Sequence, residues 1–411
     1  MTDSDINPKS KFPALQYRDF RLLWVGLLIS NIGSQMQIAA LNWHIYILTH
    51  SPIALGVIGL SRFLPIVIFA LLGGGVADAH NRKVILFITQ TALTLLSLVL
   101  AITTLNHTVT PMIVYVITAF SAVALAFDTP PRQAMVPSLV HKDHLTNAMS
   151  LNAIMWQISM IAGPALAGLF IKQLGVGIIY LMNAASFIAV IIALALMKTS
   201  GEIEGTPQKV SLKSTIEGLQ FVKSKTMIWS TMLLDFFSTF FSSATALLPI
   251  YAENILHVGP VGFGLLYAAP SLGAVIAGYI MARIGTIKRQ GPVLLWSVGL
   301  YGAATVIFGF SSVFLLSFIA LFLSGVGDSV STILRNMIRQ LTTPDYIRGR
   351  MTAINMIFFL GGPQLGEFEA GVLASMIGTQ LSVAVGGIGT LIVVGAMTLA
   401  LPALRNYSKN S

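Results

Sequence analysis

The chain has 411 residues, 55% of them hydrophobic and 9% charged, and its mean hydropathy is +0.81; this excludes a soluble protein built on one core and points to an integral membrane protein. It contains no cysteine, so disulfides, thiolate catalysis and thiolate metal sites are excluded, and its 7 histidines form no pair at ligand spacing on one helix, so no metal site is expected. The net charge of +9 is not read as a nucleic-acid surface, because the basic residues fall between long apolar runs and so report topology.

Residues 1–19 are polar, carry Pro8 and Pro13, and read as a cytoplasmic tail. The apolar run that follows is too long for a signal peptide, and no small-residue cleavage site closes it. Apolar runs of about twenty residues recur along the chain, which favours spanning helices over the alternating ten-residue strands of a barrel. Spans are placed at 20–48, 52–77, 84–105, 110–127, 150–174 and 177–197, then at 228–251, 261–284, 292–310, 313–333, 352–377 and 380–401. The expected organisation is an N-terminal six-helix half (20–197), a cytoplasmic linker with an amphipathic helix (198–227), a C-terminal six-helix half (228–401) and a cytoplasmic tail (402–411). The linker begins with a polar run from Ser200 to Pro207; Leu212, Ile216 and Leu219 then recur at helical spacing among Lys213, Glu217 and Lys223, which suits a helix on the membrane surface and equally a hinge between halves. Basic residues precede the first span and follow the second, fourth, sixth, eighth and tenth, with Arg62 and Lys172 as exceptions. Both termini are therefore expected on the cytoplasmic side.

A short charged turn follows the second span. Gly74, Asp78, Arg82 and Lys83 stand in it at the spacing G-x-x-x-D-x-x-x-R-K. Laying the two halves together at an offset of about 200 residues shows an internal repeat. Asp128 with Arg132 answers Asp328 with Arg335, and Gly74 answers Gly278, but Ala282 stands where Asp78 would be. Six-helix halves related as a parallel repeat place a central site between them near the bilayer midplane.

The turn resembles the cytoplasmic loop between the second and third helices of major facilitator superfamily transporters. Asp128-Thr129-Pro130-Pro131-Arg132-Gln133-Ala134, Ile216-Glu217-Gly218-Leu219-Gln220-Phe221-Val222 and Gly366-Glu367-Phe368-Glu369-Ala370-Gly371 are similar to the enterobactin-exporter-like branch of the drug:proton antiporters, and the likeness covers most of the chain. The resemblance implies an all-α fold of twelve transmembrane helices in two six-helix halves, placed in a bacterial-type inner membrane. It also implies export of a siderophore or hydrophobic drug from the cytoplasm, driven by a proton gradient with no cofactor. The expected partners are a small-molecule substrate, protons and the lipid bilayer; no nucleic acid is expected, and the chain is expected to be a monomer. Two departures stand out. Asn81 replaces the glycine usual before the arginine of the turn, which a left-handed backbone would tolerate. Gly163-Pro164-Ala165-Leu166-Ala167-Gly168 only partly matches the antiporter glycine-proline motif, which leaves the direction of transport open.

Intramembrane charge costs at least about 2.5 kcal/mol at a helix centre, so each instance needs a partner or a task. Arg62, Asp235, Glu367 and Glu369 are the candidates for proton coupling. In the resembling fold the second and eleventh spans are neighbours, so Arg62 can pair with Glu367 or Glu369, either as a coupling site or as a structural ion pair. The two glutamates lie roughly 200 degrees apart around the helix. Glu369 shares a face with Asn355, Gly362 and Gly366 and is the favoured partner. Asp235, with Thr239 and Ser242 on the same face, forms a wet stripe in which an acid can take up a proton or simply stay solvated, since a carboxylate is costly to remove from water. Asn31, Gln35 and Asn42 share one face of the first span and can orient a polar substrate or glue helices together. Trp43, Trp156 and Tyr267 are candidate aromatic walls, although aromatics in such helices also serve as packing and interfacial anchors. Asp128 with Arg132, and Asp328 with Arg335, read as gate ion pairs; Arg82 is placed to reach Asp128.

The leading expectation is a proton-coupled exporter working by alternating access. The same machine run as an importer, for instance of an iron chelate, is the first alternative, and a non-transporting receptor on this scaffold is another. No nucleophile–base pair, metal cluster or phosphate-binding glycine loop is found, so neither an enzyme nor an ATP-driven pump is expected.

Overall fold

The computed structural model describes residues 12–201, 212–285, 287–344 and 347–408; within these, side chains at 70–74, 78, 212–216, 218, 244, 349 and 353 are left undescribed. The tail before residue 12, most of the polar linker run, and the side chains of Gly74, Asp78, Leu212, Lys213 and Ile216 therefore lie outside the described residues.

The helices, in chain order, are α1 Arg18–Thr49, α2 Pro52–Ala79, α3 Arg82–Leu105, α4 Pro111–Leu139, α5 Leu145–Leu174, α6 Val176–Leu196 and the linker helix α7 Leu212–Ser224. They continue with α8 Thr226–Phe241, the short α9 Leu248–Ile250, α10 Gly259–Ile284, α11 Gln290–Phe310, α12 Phe314–Thr342, α13 Arg348–Ile377, α14 Thr379–Ala400 and the terminal turn α15 Pro402–Arg405. The ends follow local chemistry. Thr110 caps α4 by accepting from the Ile113 amide at 3.4 Å, with Pro111 at the first helical position, where its missing N–H costs nothing. Gly175 and Gly378 turn the chain at φ 81 and φ 90 before α6 and α14, at equivalent places in the repeat.

Eleven of the described helical segments are long and apolar enough to cross a membrane. α13 is as long as its neighbours but falls outside that set because Gln364, Glu367, Glu369 and its glycines dilute its apolar content. Three expected spans need correction. The fourth was expected to end at 127, yet α4 runs on through Asp128, Pro130 and Pro131 to Leu139. The tenth was expected to end at 333, yet α12 continues to Thr342 and takes Arg335 and Arg339 into the helix. In both cases charges that look like loop residues are neutralised by partners in the fold. The seventh span, expected as one helix over 228–251, breaks after Phe241 into a 3-10 turn (Ala244–Leu247), α9 and a π-turn (Tyr251–Ile255). Pro249 lacks an N–H and crowds the turn before it, which here is the 3-10 turn that follows the break.

The chain folds as two compact units, one of residues 1–44 with 64–210 and one of residues 45–63 with 211–411. In the first, α3 packs on α4 and α6, and a core of Phe20, Leu23, Leu27, Met135, Leu139, Leu151 and Leu194 closes the ends of α1, α4, α5 and α6. In the second, α11 packs on α12 and α14, which is the same pairing repeated, and Leu234, Leu294, Val298, Leu334 and Ile338 form the matching core. Large apolar side chains such as Ile88, Met112 and Trp296 are left exposed, as suits helices surrounded by acyl chains.

Within the second unit α13 is gripped by glycine contacts. A Cβ added at Gly366 would overlap the Phe240 carbonyl of α8, and one at Gly56 of α2 would lie 2.9 Å from the Phe368 Cα. Van der Waals contact between close backbones is what holds helices together in lipid. Replacing Gly366 by Ala should therefore cost about 1–3 kcal/mol of overpacking, partly offset by about 1 kcal/mol of helix propensity. Thermal unfolding of the purified chain in detergent should show a lowered midpoint for Gly366→Ala. Gly299→Ala, where a Cβ meets open space, should leave the midpoint unchanged or higher.

Candidate functional site

In the second unit a carboxylate from α8 meets two guanidiniums from α12. Arg335 and Arg339 are one helical turn apart and so face the same way. Arg335 Nη2 lies 2.8 Å from Asp235 Oδ1, and Arg339 Nη1 lies 3.8 Å from Asp235 Oδ2. The same Arg335 nitrogen is 3.6 Å from Asp328 Oδ1. Two acids thus balance two bases, and one guanidinium nitrogen is shared between both acids. Asp235 and Arg335 are buried, with side chains 2% and 1% exposed, whereas Asp328 is 43% exposed. Arg335 also donates to Ser331 Oγ (2.6 Å) and Thr332 Oγ1 (2.8 Å), and Arg339 donates to Asn336 Oδ1 (2.7 Å) and to the Asn355 amide oxygen of α13. By contrast, among the described residues neither oxygen of Asp235 completes a hydrogen bond. Its contacts to the described residues are therefore ion pairs whose N–H directions miss its oxygens.

The first unit handles its buried acid differently. Asp128, 1% exposed, accepts from Thr89 Oγ1 and from Gln90 Nε2, each at 2.8 Å, and pairs with Arg132 one turn along α4. Hydrogen bonds from two α3 residues and an ion pair on its own helix fix this carboxylate. Arg82, placed by sequence beside Asp128, instead donates to the Ala134 carbonyl at 3.0 Å. Lys83 reaches the Met197 carbonyl at the end of α6, at 2.8 Å. Local polar groups on α3 satisfy Asp128 first, which leaves Arg82 to a backbone acceptor.

The second unit also holds Glu367, 9% exposed, with Thr245 Oγ1 3.5 Å from its carboxylate. A Cβ at Gly59 would meet the Glu367 carboxylate at 3.0 Å, so the acid lies on the bare backbone of α2. Arg62 acts on Glu367 electrostatically, with one guanidinium nitrogen, Nη2, buried and without a hydrogen bond among the described residues. Sequence favoured Glu369 for this neighbourhood. The structure gives it to Glu367, because Gly362 and Gly366, the face assigned to Glu369, pack on α8 at Thr239, Phe236 and Phe240.

Of the polar residues expected to line a substrate cavity, Gln35, Thr239 and Ser242 have separate partners within their own units. Thr239 and Ser242 do not form a wet stripe with Asp235: Thr239 donates to the Asp235 carbonyl at 2.8 Å, and Ser242 shares a hydrogen bond with Thr390 at 2.7 Å. On α1, Gln35 packs against Gly163 of α5, Asn31 is half-buried, and Asn42 is buried with both amide atoms unpaired. Trp43 is buried, Tyr267 meets Phe263 edge-on at 5.8 Å, and Trp156 is 49% exposed. Sequence reading missed the buried network of Gln37, which accepts from Ser97 at 2.9 Å and Asn183 at 2.8 Å, and the His44–Tyr180 hydrogen bond at 3.0 Å. It also missed Arg339, although the four-residue spacing from Arg335 was available as a signal.

The family model described as transmembrane secretion effector matches residues 9–411. The chain is 27% identical over 377 residues to the staphyloferrin A transporter of Staphylococcus aureus, covering 90% of this chain and 92% of that one. It is 25% identical over 389 residues to the enterobactin exporter EntS of Citrobacter koseri, covering 94% and 93%. Its fold is similar to a bacterial homolog of the human lysosomal transporter Spinster in an inward-facing, unoccupied conformation, with a TM-score of 0.75 at 14% identity over 96% of this chain and 99% of that chain. A bacterial homologue of the iron transporter ferroportin in an inward-facing state gives 0.71 at 18% identity over 93% and 98%. A family match over nearly the whole length, with the helix order and buried charges described above, makes this chain a member of the transmembrane secretion effector family of the major facilitator superfamily, a multi-pass membrane transporter and not an enzyme.

Proposed function

We propose that the chain exports a siderophore-like or amphipathic small molecule across a bacterial-type inner membrane in exchange for protons. In this reading it acts as a monomer with both termini cytoplasmic, needs no cofactor, and draws its energy from the proton gradient. The export direction and the substrate class are supported by similarity to enterobactin exporters and to the staphyloferrin A transporter.

The observation that carries proton coupling is Asp235. It is buried and charge-paired, yet neither oxygen holds a hydrogen bond. A proton added there finds a free lone pair, and Arg335 already has a second carboxylate, Asp328, within 3.6 Å. Protonation of Asp235 therefore does not strand the guanidinium, because its Coulombic partner becomes Asp328. Moving a guanidinium from one acid to another re-aims α12 against α8, the kind of two-state element through which binding at one place biases a conformation. Asp128, with every partner in place, serves as a fixed brace in this scheme, and Glu367 is the reserve coupling acid.

Everted membrane vesicles carrying the chain, acidified inside, should accumulate enterobactin or staphyloferrin A, and a protonophore should abolish the accumulation. Uptake confined to right-side-out vesicles would show an importer instead.

Asp235→Asn should reduce gradient-driven accumulation by about tenfold or more. Breaking a buried pair also destabilises by about 3–5 kcal/mol, so the single variant should unfold at lower temperature. Asp235→Asn with Arg335→Gln removes both charges together; it should regain most of the thermal midpoint while remaining uncoupled from the gradient. Full gradient dependence in that double variant would end the assignment of Asp235.

A further inference from the structure

The charged turn before α3 has a second set of contacts that neither the repeat nor Asp128 accounts for. Each residue from Met197 to Gly201, the stretch between α6 and the linker, is bonded to the start of α1 or α3. Asp19 accepts from the Lys198 amide at 2.9 Å, the Thr199 amide at 2.8 Å and the Thr199 hydroxyl at 2.7 Å, all on one carboxylate oxygen. Lys83 Nζ donates to the Met197 carbonyl, Asn81 Nδ2 donates to the Ser200 carbonyl at 2.8 Å, and the Arg82 amide donates to the Gly201 carbonyl at 3.0 Å.

Asn81 is the hinge of this arrangement. Its φ of −55 and ψ of 117 are not left-handed, so backbone tolerance does not explain an asparagine where the resembling pattern has glycine. Its side chain instead faces two ways. The amide oxygen caps α3, accepting from the Lys83 and Val84 amides at 3.0 and 3.3 Å, and the amide nitrogen holds the linker. Gly201 is keyed to the same place: its φ is +73, and a Cβ there would lie 2.7 Å from Lys83 Cβ and 2.8 Å from Asn81 Oδ1. A side chain at 201 would suffer both from the backbone conformation and from lack of room.

We propose that Asp19, Asn81 and Lys83 form a clasp that fixes the point at which the linker leaves the first unit, with Gly201 as the residue that seats in it. The charged turn thus acts on the linker as well as on the inner helix ends. A charge-assisted group, Lys83, sits at the carbonyl end of α6, where a cation is favoured, and the Asp19 carboxylate holds consecutive amides as in an anion nest.

Amide hydrogen exchange on the full chain in lipid nanodiscs tests this directly. Asn81→Gly keeps an acceptable N-cap, since glycine is tolerated there, but removes the bond to Ser200. Asp19→Ala removes the other side of the clasp, and Gly201→Ala unseats the segment by driving a Cβ against Lys83 and Asn81 while leaving the Asp19 side chain in place. Exchange of peptides covering residues 197–201 should rise roughly three- to tenfold in each variant, while peptides from the interiors of α3 and α6 stay protected as in the unaltered chain. Unchanged exchange at 197–201 in all three variants would overturn the clasp. So would a rise spread in equal proportion through α3 and α6, which would mark a general loss of packing.

Discussion

A carboxylate or guanidinium taken out of water among apolar helices must meet an opposite charge or a set of hydrogen bonds, and in each unit that requirement ties helices together across the buried interior. In the second unit the meeting of Asp235 with Arg335 joins α8 to α12, and Arg339 extends the join to α13 through Asn355. In the first, Asp128 joins α4 to α3 through Thr89 and Gln90. The apolar contacts that fill the cores are arranged around these joins.

The repeat carries the same helices into both units but not the same electrostatics. Asp128 is saturated by three side chains, whereas Asp235 is neutralised without being hydrogen-bonded. A saturated acid has a single favourable state. An acid that is paired but not hydrogen-bonded keeps a lone pair open, and here its base lies near a second carboxylate. The two units thus hold their buried acids by different means, and the proposed proton coupling rests on that difference.

Composition and span periodicity made the helical membrane fold legible, because a run of apolar residues in lipid has few alternatives to a helix. Helix ends marked by charge were less legible. Asp128 and Arg335 look like loop residues in sequence, and only their partners on other helices show that they lie inside α4 and α12. The pairing of Asp235 with Arg335 brings together two residues that sequence assigned to separate tasks, since a bond between residues a hundred positions apart leaves no local pattern. The same limit explains Arg82: its distance from Asp128 along the fold was readable, but the prior claim of Thr89 and Gln90 on that acid was not.

The interruption after Phe241 has a consequence of its own. The carbonyl of Ser242, freed from the helix ladder, accepts from the Tyr301 hydroxyl at 3.3 Å, and Ser243 donates to the Pro363 carbonyl at 2.8 Å. The segment that holds Asp235 and the segment that follows Ser243 are therefore linked by a joint and not by a rigid rod. The π-turn at Tyr251–Ile255 lies beyond that joint from the carboxylate. The two parts of this span are thus held by separate sets of bonds, Asp235 to α12 and the Ser242–Ser243 joint to α11 and α13.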